Sequence, residues 1–410
     1  MKKLLLITQY FPPEIGGGSQ RSFGFAKELS DLGVDVTVVT PYPTYLMKKE
    51  EVKTKFKLYE KVEQDGIKVY QTFVIATDRG GFFRRILYYL SFTVSAIIVV
   101  LSKIKNVDFI ITISPPLFTG IAGVILKKFK SAKLVFDIGD LWPESAVQLG
   151  FLKNKTAIKL SEKLEKWIYK NSDLINVVTR DTFDKVRSRF GESLPLAYVP
   201  NFVNTKIINN AAKDIDLLSK YNLNGKKVFG YAGNIGSAQG VKIITDAAKL
   251  TLDRKDIAYL IIGDGVDKDE LVKDIKNNNL DNVVLVPPVD KDEIVKYISL
   301  FDAMIIPLVK NDLFKITIPS KLYESMAAKI PVLLCVDGEA RRIVEEANCG
   351  IYIEPENSVM LAEKVKYFND NAQLAEQFGE NGVAVAKEKF DRNVVINSFF
   401  EEHLNGSINI

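Results

Sequence analysis

Short apolar runs that end in glycine, proline or polar clusters alternate along this chain with longer stretches of helical period. Lys3 to Thr8, Val34 to Thr40, Val107 to Ser114, the run from Lys133, and Leu174 to Thr179 read as strands of the first half. In the second half the run from Lys226, Ala258 to Ile262, Val283 to Val289, Ala303 to Pro307 and Val332 to Val336 read the same way. Helices are predicted over Gln20 to Leu32, Ile86 to Leu101, Leu160 to Lys170, Val241 to Leu252, Pro319 to about Ala328 and Val394 to Leu404, with a helical pattern from Leu361 to Lys389. The recurring strand, loop and helix predict an α/β fold. A chain of 410 residues is too long for one ordinary core, so two domains of roughly 200 residues each are expected.

Four loops carry candidate chemistry. After the first strand, Gly16, Gly17 and Gly18 stand directly before a helix start, where free N–H groups can meet an anion. A flexible turn explains the same glycines. A nicotinamide site is disfavoured, because no tight G-x-G-x-x-G forms and the second strand ends without an acid for a ribose. In the second half, the strand from Lys226 runs into Gly233 to Gly240, and the strand ending at Ile262 runs into Gly263-Asp-Gly265. The fourth loop opens the helix at Pro319. Its fixed φ suits a first turn that Thr317 can cap, and Lys321 and Glu324 share one face near the positive end of the dipole. That start can hold a phosphate and a sugar hydroxyl; an ordinary capped surface helix with an (i, i+3) ion pair is the other reading.

Composition narrows the chemistry. A net charge of +4, without a basic stripe interleaved with aromatics, excludes general nucleic-acid binding. The only histidine is His403, which argues against histidine general-base catalysis, histidine-ligated zinc and a Ser-His-Asp triad. Cys335 and Cys349 fit reduced thiols in a cytoplasmic protein, and Met1 to Thr8 reads as a strand and not as a signal peptide.

Three acids, Asp137, Asp140 and Glu144, fall with Trp142 within eight residues at the end of a predicted strand, where α/β sheets place ligands. An N-cap role would also suit Asp140. The apolar run 86–101, led by Phe82, Phe83, Arg84 and Arg85, is too short for a comfortable membrane span. It reads as a buried helix, or as one lying in a bilayer interface with arginines on lipid phosphates and Phe82, Phe83, Tyr88 and Tyr89 at headgroup depth.

Ile318 to Val332 resembles the donor-binding helix of family 4 glycosyltransferases, which have the GT-B fold of two Rossmann-like doubly wound domains facing a central cleft. Asp140-Leu-Trp-Pro-Glu144, the Glu14 to Ser19 loop and Tyr198 to Asn204 are similar to the bacterial branch of surface-polysaccharide enzymes that includes fucosamine transferases. The resemblance implies an acceptor-side domain over 1–204, a linker over about 205–224, a nucleotide-sugar domain over 225–390, and a last helix (391–410) packing back on the first domain. It implies that Glu324 takes the ribose, while Ile316 stands where the family usually has a sugar-facing glutamate. Pro319, Ser320 and Lys321 match the branch that carries Pro-Ser-Lys. Asn234 and Gln239 stand where most members have an arginine and a lysine for the pyrophosphate, beside Gly236 and Ser237, so Lys321 is left as the principal cation. Pro288 and Val289 are implied to pair with the base.

The activity implied is retaining transfer of a sugar, which an N-acetylated amino sugar would suit, from a nucleotide sugar, expected to be UDP-linked. The acceptor is a saccharide or polyprenyl-linked saccharide in O-antigen or capsule synthesis, with no cofactor and no metal required. Asp137, Asp140, Glu144 and Lys321 are the candidate catalytic groups. A peripheral place on the cytoplasmic face of the inner membrane, through 82–103, accompanies the interface reading. A GT-B sugar-nucleotide epimerase and a catalytically silent partner subunit are the alternatives.

Overall fold

The computed structural model describes residues 1–14, 16–44, 55–77, 82–206, 212–290 and 293–406, with Phe82 and Phe83 described by backbone alone. Parts of the expected acceptor-side domain, of the expected linker and of the C-terminal segment therefore lie outside the described residues. The chain forms two compact units, Met1–Asn201 with Arg392–Ile410, and Phe202–Asp391.

The strands of the first unit are β1 (Lys3–Thr8), β2 (Asp35–Pro41), β3 (Tyr59–Gln64), β4 (Ile67–Thr72), β5 (Phe109–Ser114), β6 (Lys133–Ile138), β7 (Leu174–Val177) and β8 (Leu196–Tyr198). They form one sheet in the order β3-β4-β2-β1-β5-β6-β7-β8, parallel except for the β3–β4 hairpin. Its helices are α1 (Gly17–Asp31), α2 (Phe82–Lys103), α3 (Phe118–Lys130), α4 (Glu144–Gln148), α5 (Lys155–Asn171) and α6 (Arg180–Phe190). The chain winds outward from β1 in both directions, so the topological switch lies between β1 and β5, and the loop of Gly16 leaves β1 at that point.

The second unit has helices α7 (Ile215–Lys220), α8 (Lys242–Lys249), α9 (Lys268–Asn277), α10 (Ile294–Ile298), α11 (Asp312–Lys315), α12 (Ser320–Ala327), α13 (Glu339–Ala347), α14 (Ser358–Asp370) and α15 (Gln373–Val385). Strands β9 (Lys227–Ala232), β10 (Ile257–Ile262), β11 (Val283–Val286), β12 (Ala303–Pro307), β13 (Val332–Cys335) and β14 (Gly350–Tyr352) form a parallel sheet ordered β11-β10-β9-β12-β13-β14. Successive side chains alternate between two cores: Ala258, Leu260 and Ile262 face one, and Ile257, Tyr259 and Ile261 the other. Covering on both faces is what turns these strands into continuous apolar runs instead of alternating ones. Here the switch lies between β9 and β12.

The second unit begins at Phe202 and not at 225, because α7 and the buried Leu223 pack on its core. The helical pattern 361–389 is two helices, α14 and α15, broken at Asn371. Helix α16 (Arg392–Phe399) packs on α1, where Phe399 meets Phe25 edge-on at 5.4 Å and Arg392 pairs with Glu28 at 2.6 Å.

Candidate active site

All the second-unit candidates gather at the carboxyl end of its sheet. The loop after β9 and the loop after β10 are locked together: the Ile235 N–H donates to the Asp264 carbonyl at 2.7 Å, and the Asp267 N–H to the Ile235 carbonyl at 3.0 Å. Gly263 has φ +152°, and a Cβ there would fall 1.8 Å from the Gly233 carbonyl oxygen, so no side chain fits between the loops. Gly263-Asp-Gly265 thus holds the first loop in place.

Lys321 rises from the first turn of α12 toward that loop. Its ammonium lies 5.3 Å from the Tyr231 ring centroid, and a Cβ on Gly233 (φ +147°) would come within 2.7 Å of its Cε and Nζ. Tyr231 is buried and its hydroxyl donates to the Asn234 carbonyl at 2.5 Å. Burial pushes this phenol well above its ordinary range, so it stays a neutral platform. Lys321 is half-buried and Glu324 exposed one turn on. The low-polarity protein mass around them disfavours both charges, drawing Lys321 down and Glu324 up, while each charge opposes the other's shift.

Among the described residues no ion pair joins Lys321 to Glu324, which removes the surface-pair reading. Thr317 is not the cap either. Its hydroxyl donates to the Leu313 carbonyl at 3.2 Å, and Pro319 takes the cap position with no side-chain bond to the helix. Helix α12 therefore begins with N–H groups that no side chain has claimed, at the switch point and beside an ammonium. Ile316 ends α11 and is half-buried.

The Asn234 amide donates to the Gln239 side-chain oxygen at 3.2 Å, and the Ser237 hydroxyl to Asp267 at 3.1 Å. A Cβ on Gly236 would strike both amides, at 2.7 and 2.9 Å. Pro288 and Val289 follow β11 at the same sheet end, Pro288 exposed. Tyr231 is the member that sequence reasoning passed over. It looked like one more inward residue of β9, and only its position under Lys321 sets it apart.

In the first unit, Gly16 caps α1 with φ +135°, and Gly17 and Gly18 open the helix itself, three residues earlier than the predicted Gln20. All three are exposed at the carboxyl end of β1. Two of the three acids are already engaged. Asp137 is fully buried and takes a two-pronged bond from Arg21, Nε and Nη2 each at 2.7 Å. The same guanidinium donates to the Val199 and Pro200 carbonyls at 3.0 Å. Asp137 is therefore a brace between α1, β6 and the end of β8 and not an acid facing solvent. Glu144 is held by Lys185, with Arg189 at 3.9 Å. Asp140 caps nothing, since α4 starts behind Pro143, and its carboxylate is open. The surrounding protein raises its pKa above that of an ordinary aspartate. Among the described residues no group of three His, Cys, Asp or Glu could hold a metal ion.

Two family descriptions match the chain, one for each unit: "Glycosyl transferase 4-like domain" over residues 16–201 and "Glycosyl transferases group 1" over 214–385. The chain belongs to the family 4 glycosyltransferases. This transferase is similar to the probable glycosyltransferase WbjE of Pseudomonas aeruginosa, 26% identical over 265 residues, 64% of this chain and 66% of that relative. It is also similar to the putative colanic acid biosynthesis glycosyl transferase WcaI of Escherichia coli K12, 23% identical over 333 residues, 79% of this chain and 81% of WcaI. The structure of Anabaena HepE in complex with UDP-glucose superposes with a TM-score of 0.73 at 16% identity, covering 99% of this chain and all of HepE. The shared fold is GT-B.

Proposed function

We propose that the enzyme transfers a sugar from a UDP-sugar, with retention of configuration and without a metal, to a saccharide or lipid-linked saccharide of a surface polysaccharide. The carrying observation is the placement of Lys321: an ammonium over Tyr231, against Gly233, at the uncapped start of α12. Charge that grows on a departing diphosphate is stabilised by preorganised donors that need no rearrangement. The Ser320 and Lys321 N–H groups, the Lys321 ammonium and the two interlocked glycine loops supply them. Glu324, exposed one turn later, is suited to the ribose hydroxyls, and the backbone at Pro288 and Val289 to the base. In the first unit Asp140 is the acid left to orient an acceptor hydroxyl or take its proton. The UDP-glucose bound by HepE supports the nucleotide, and the names of WbjE and WcaI support the class of product. An acceptor carried on a polyprenyl lipid would bring the enzyme to a membrane surface.

The test is calorimetric titration with UDP, together with UDP-sugar hydrolysis, on wild type, Lys321→Ala and Glu324→Ala. UDP binding that weakens in both variants upholds the reading. A wild type that ignores UDP, or that interconverts free UDP-sugars, sinks it.

A further inference from the structure

Helix α2 buries one face and leaves the other apolar. Tyr88, Phe92, Ala96 and Val100 pack with Leu5, Ile7, Ile110 and Leu134 in the core of the first unit. Tyr88 bonds Thr44 at 2.9 Å and Tyr89 stacks on Phe118, so neither tyrosine stands at headgroup depth. The outward face carries Leu87, Leu90, Val94, Ile98 and Leu101, each between 39% and 55% exposed. Steps of three and four place these five on a single stripe about 21 Å long. The stripe is wholly aliphatic.

Its ends are basic. Arg84 and Arg85 open the helix, and at the far end the stripe runs into a shallow pocket of about 240 Å³ at the amino ends of β1 and β2. Lys3, Lys61, Lys68, Lys103 and Lys105 line this pocket against a single lining carboxylate, Asp35, which Lys68 already pairs at 2.9 Å. Beside it, Lys130 of α3 donates to the Ile104 carbonyl at 2.6 Å, which sets the neighbouring Phe129, 70% exposed, at the same end of α2. This is the sheet end opposite to the Gly16 loop, so neither stripe nor pocket belongs to the site described above.

We infer that the outer face of α2 docks on a bilayer rich in anionic phospholipid, with the stripe among the acyl chains and the five-lysine pocket on a headgroup phosphate. An aliphatic ridge with cations at both ends has the chemistry of an interfacial helix. A protein partner would call for aromatic and arginine anchors at the centre of the face, whereas here the centre is aliphatic and the arginines and Phe129 stand only at its ends. The inference deepens the membrane-side part of the proposed function, and its test is read separately from nucleotide binding.

Full-length protein is co-sedimented with vesicles of phosphatidylcholine, with and without phosphatidylglycerol. Wild type is expected to partition onto the anionic vesicles, less so as salt rises. Val94→Glu with Ile98→Glu is expected to lower partitioning by at least about tenfold, and Lys61→Gln with Lys105→Gln by about tenfold. UDP titration and circular dichroism of both variants should match wild type. Failure of wild type to bind anionic vesicles overturns the inference, as does equal binding by both variants. A dimer of the free protein that Val94→Glu abolishes overturns it too, since a second copy would then cover the stripe. Wild type that binds the vesicles but not UDP would defeat the UDP-sugar reading and leave this one standing.

Discussion

Lys321 and Tyr231 meet across the switch point of the second sheet, ammonium 5.3 Å from ring centroid, with Gly233 leaving room for the contact. An ammonium near an aromatic face is attracted to the ring's electron-rich surface, which helps fix its direction. Helix α12 supplies the lysine and β9 the ring, and the loop after β9 touches both, Gly233 beside the lysine and the Asn234 carbonyl on the tyrosine hydroxyl.

Removing this cation tests the site most directly. Lys321→Ala should weaken UDP binding roughly tenfold to a hundredfold, the range for one hydrogen bond to a charged group, with little change in melting temperature. Gly233→Ala should weaken it by displacing the ammonium. Lys321→Arg should restore little, because a planar guanidinium needs more room than Gly233 leaves. Calorimetry with UDP decides; unchanged affinity in all three would remove the lysine from the site.

Gly263→Ala should cost about 3 kcal/mol or more, since the new methyl meets a carbonyl and the backbone is held in a strained region. Gly225→Ala is the control. Its φ is +74° but nothing lies within 4 Å, so only about 1 kcal/mol is expected. Urea unfolding of both variants compares clash with strain, and equal losses would show that the interlocked loops yield easily.

The Arg21–Asp137 pair is buried on both sides, 4% and 0% exposed. Breaking it by Asp137→Leu strands a guanidinium and should cost about 3–5 kcal/mol, much of it recovered when Arg21→Met is added. UDP affinity, which the proposed site assigns to residues of the other unit, should not move. If Asp137→Asn instead stays stable but abolishes transfer, Asp137 acts on substrate and the bracing role is wrong.

His403 gives a pH signature. Burial draws its pKa below the ordinary 6.5, with Glu402 opposing. The folded chain then takes up this proton less readily than the unfolded one. The resulting stability is complete above the unfolded pKa and is lost as pH falls through the lower, folded value. Urea melts from neutral pH downward should show wild type losing more stability than His403→Gln. As the only histidine, it can be titrated by NMR without assignment, and a midpoint at or above 6.5 would contradict the sign.

The two nested α/β units were legible because their strands are buried on both faces, so burial is written into consecutive apolar residues such as Ile257 to Ile262. The α12 stretch was legible because proline, lysine and glutamate have strong positional meaning at a helix start. Asp137 and Glu144 were misjudged for a common reason. A carboxylate reads the same in sequence whether it faces solvent or an arginine distant in the chain, and Arg21 lies 116 positions from Asp137. Thr317 was misjudged more locally, because its hydroxyl turned back to Leu313.

The sequence by itself determined the α/β alternation, the two-unit division and the proline start of α12, since these follow from periodicity, chain length and local backbone chemistry. Tertiary structure alone decided which acids remain open, that Tyr231 lies beneath Lys321, and which face of α2 is left to solvent. Each of those is a matter of what lies across a core from a residue, and that is fixed only when distant segments pack.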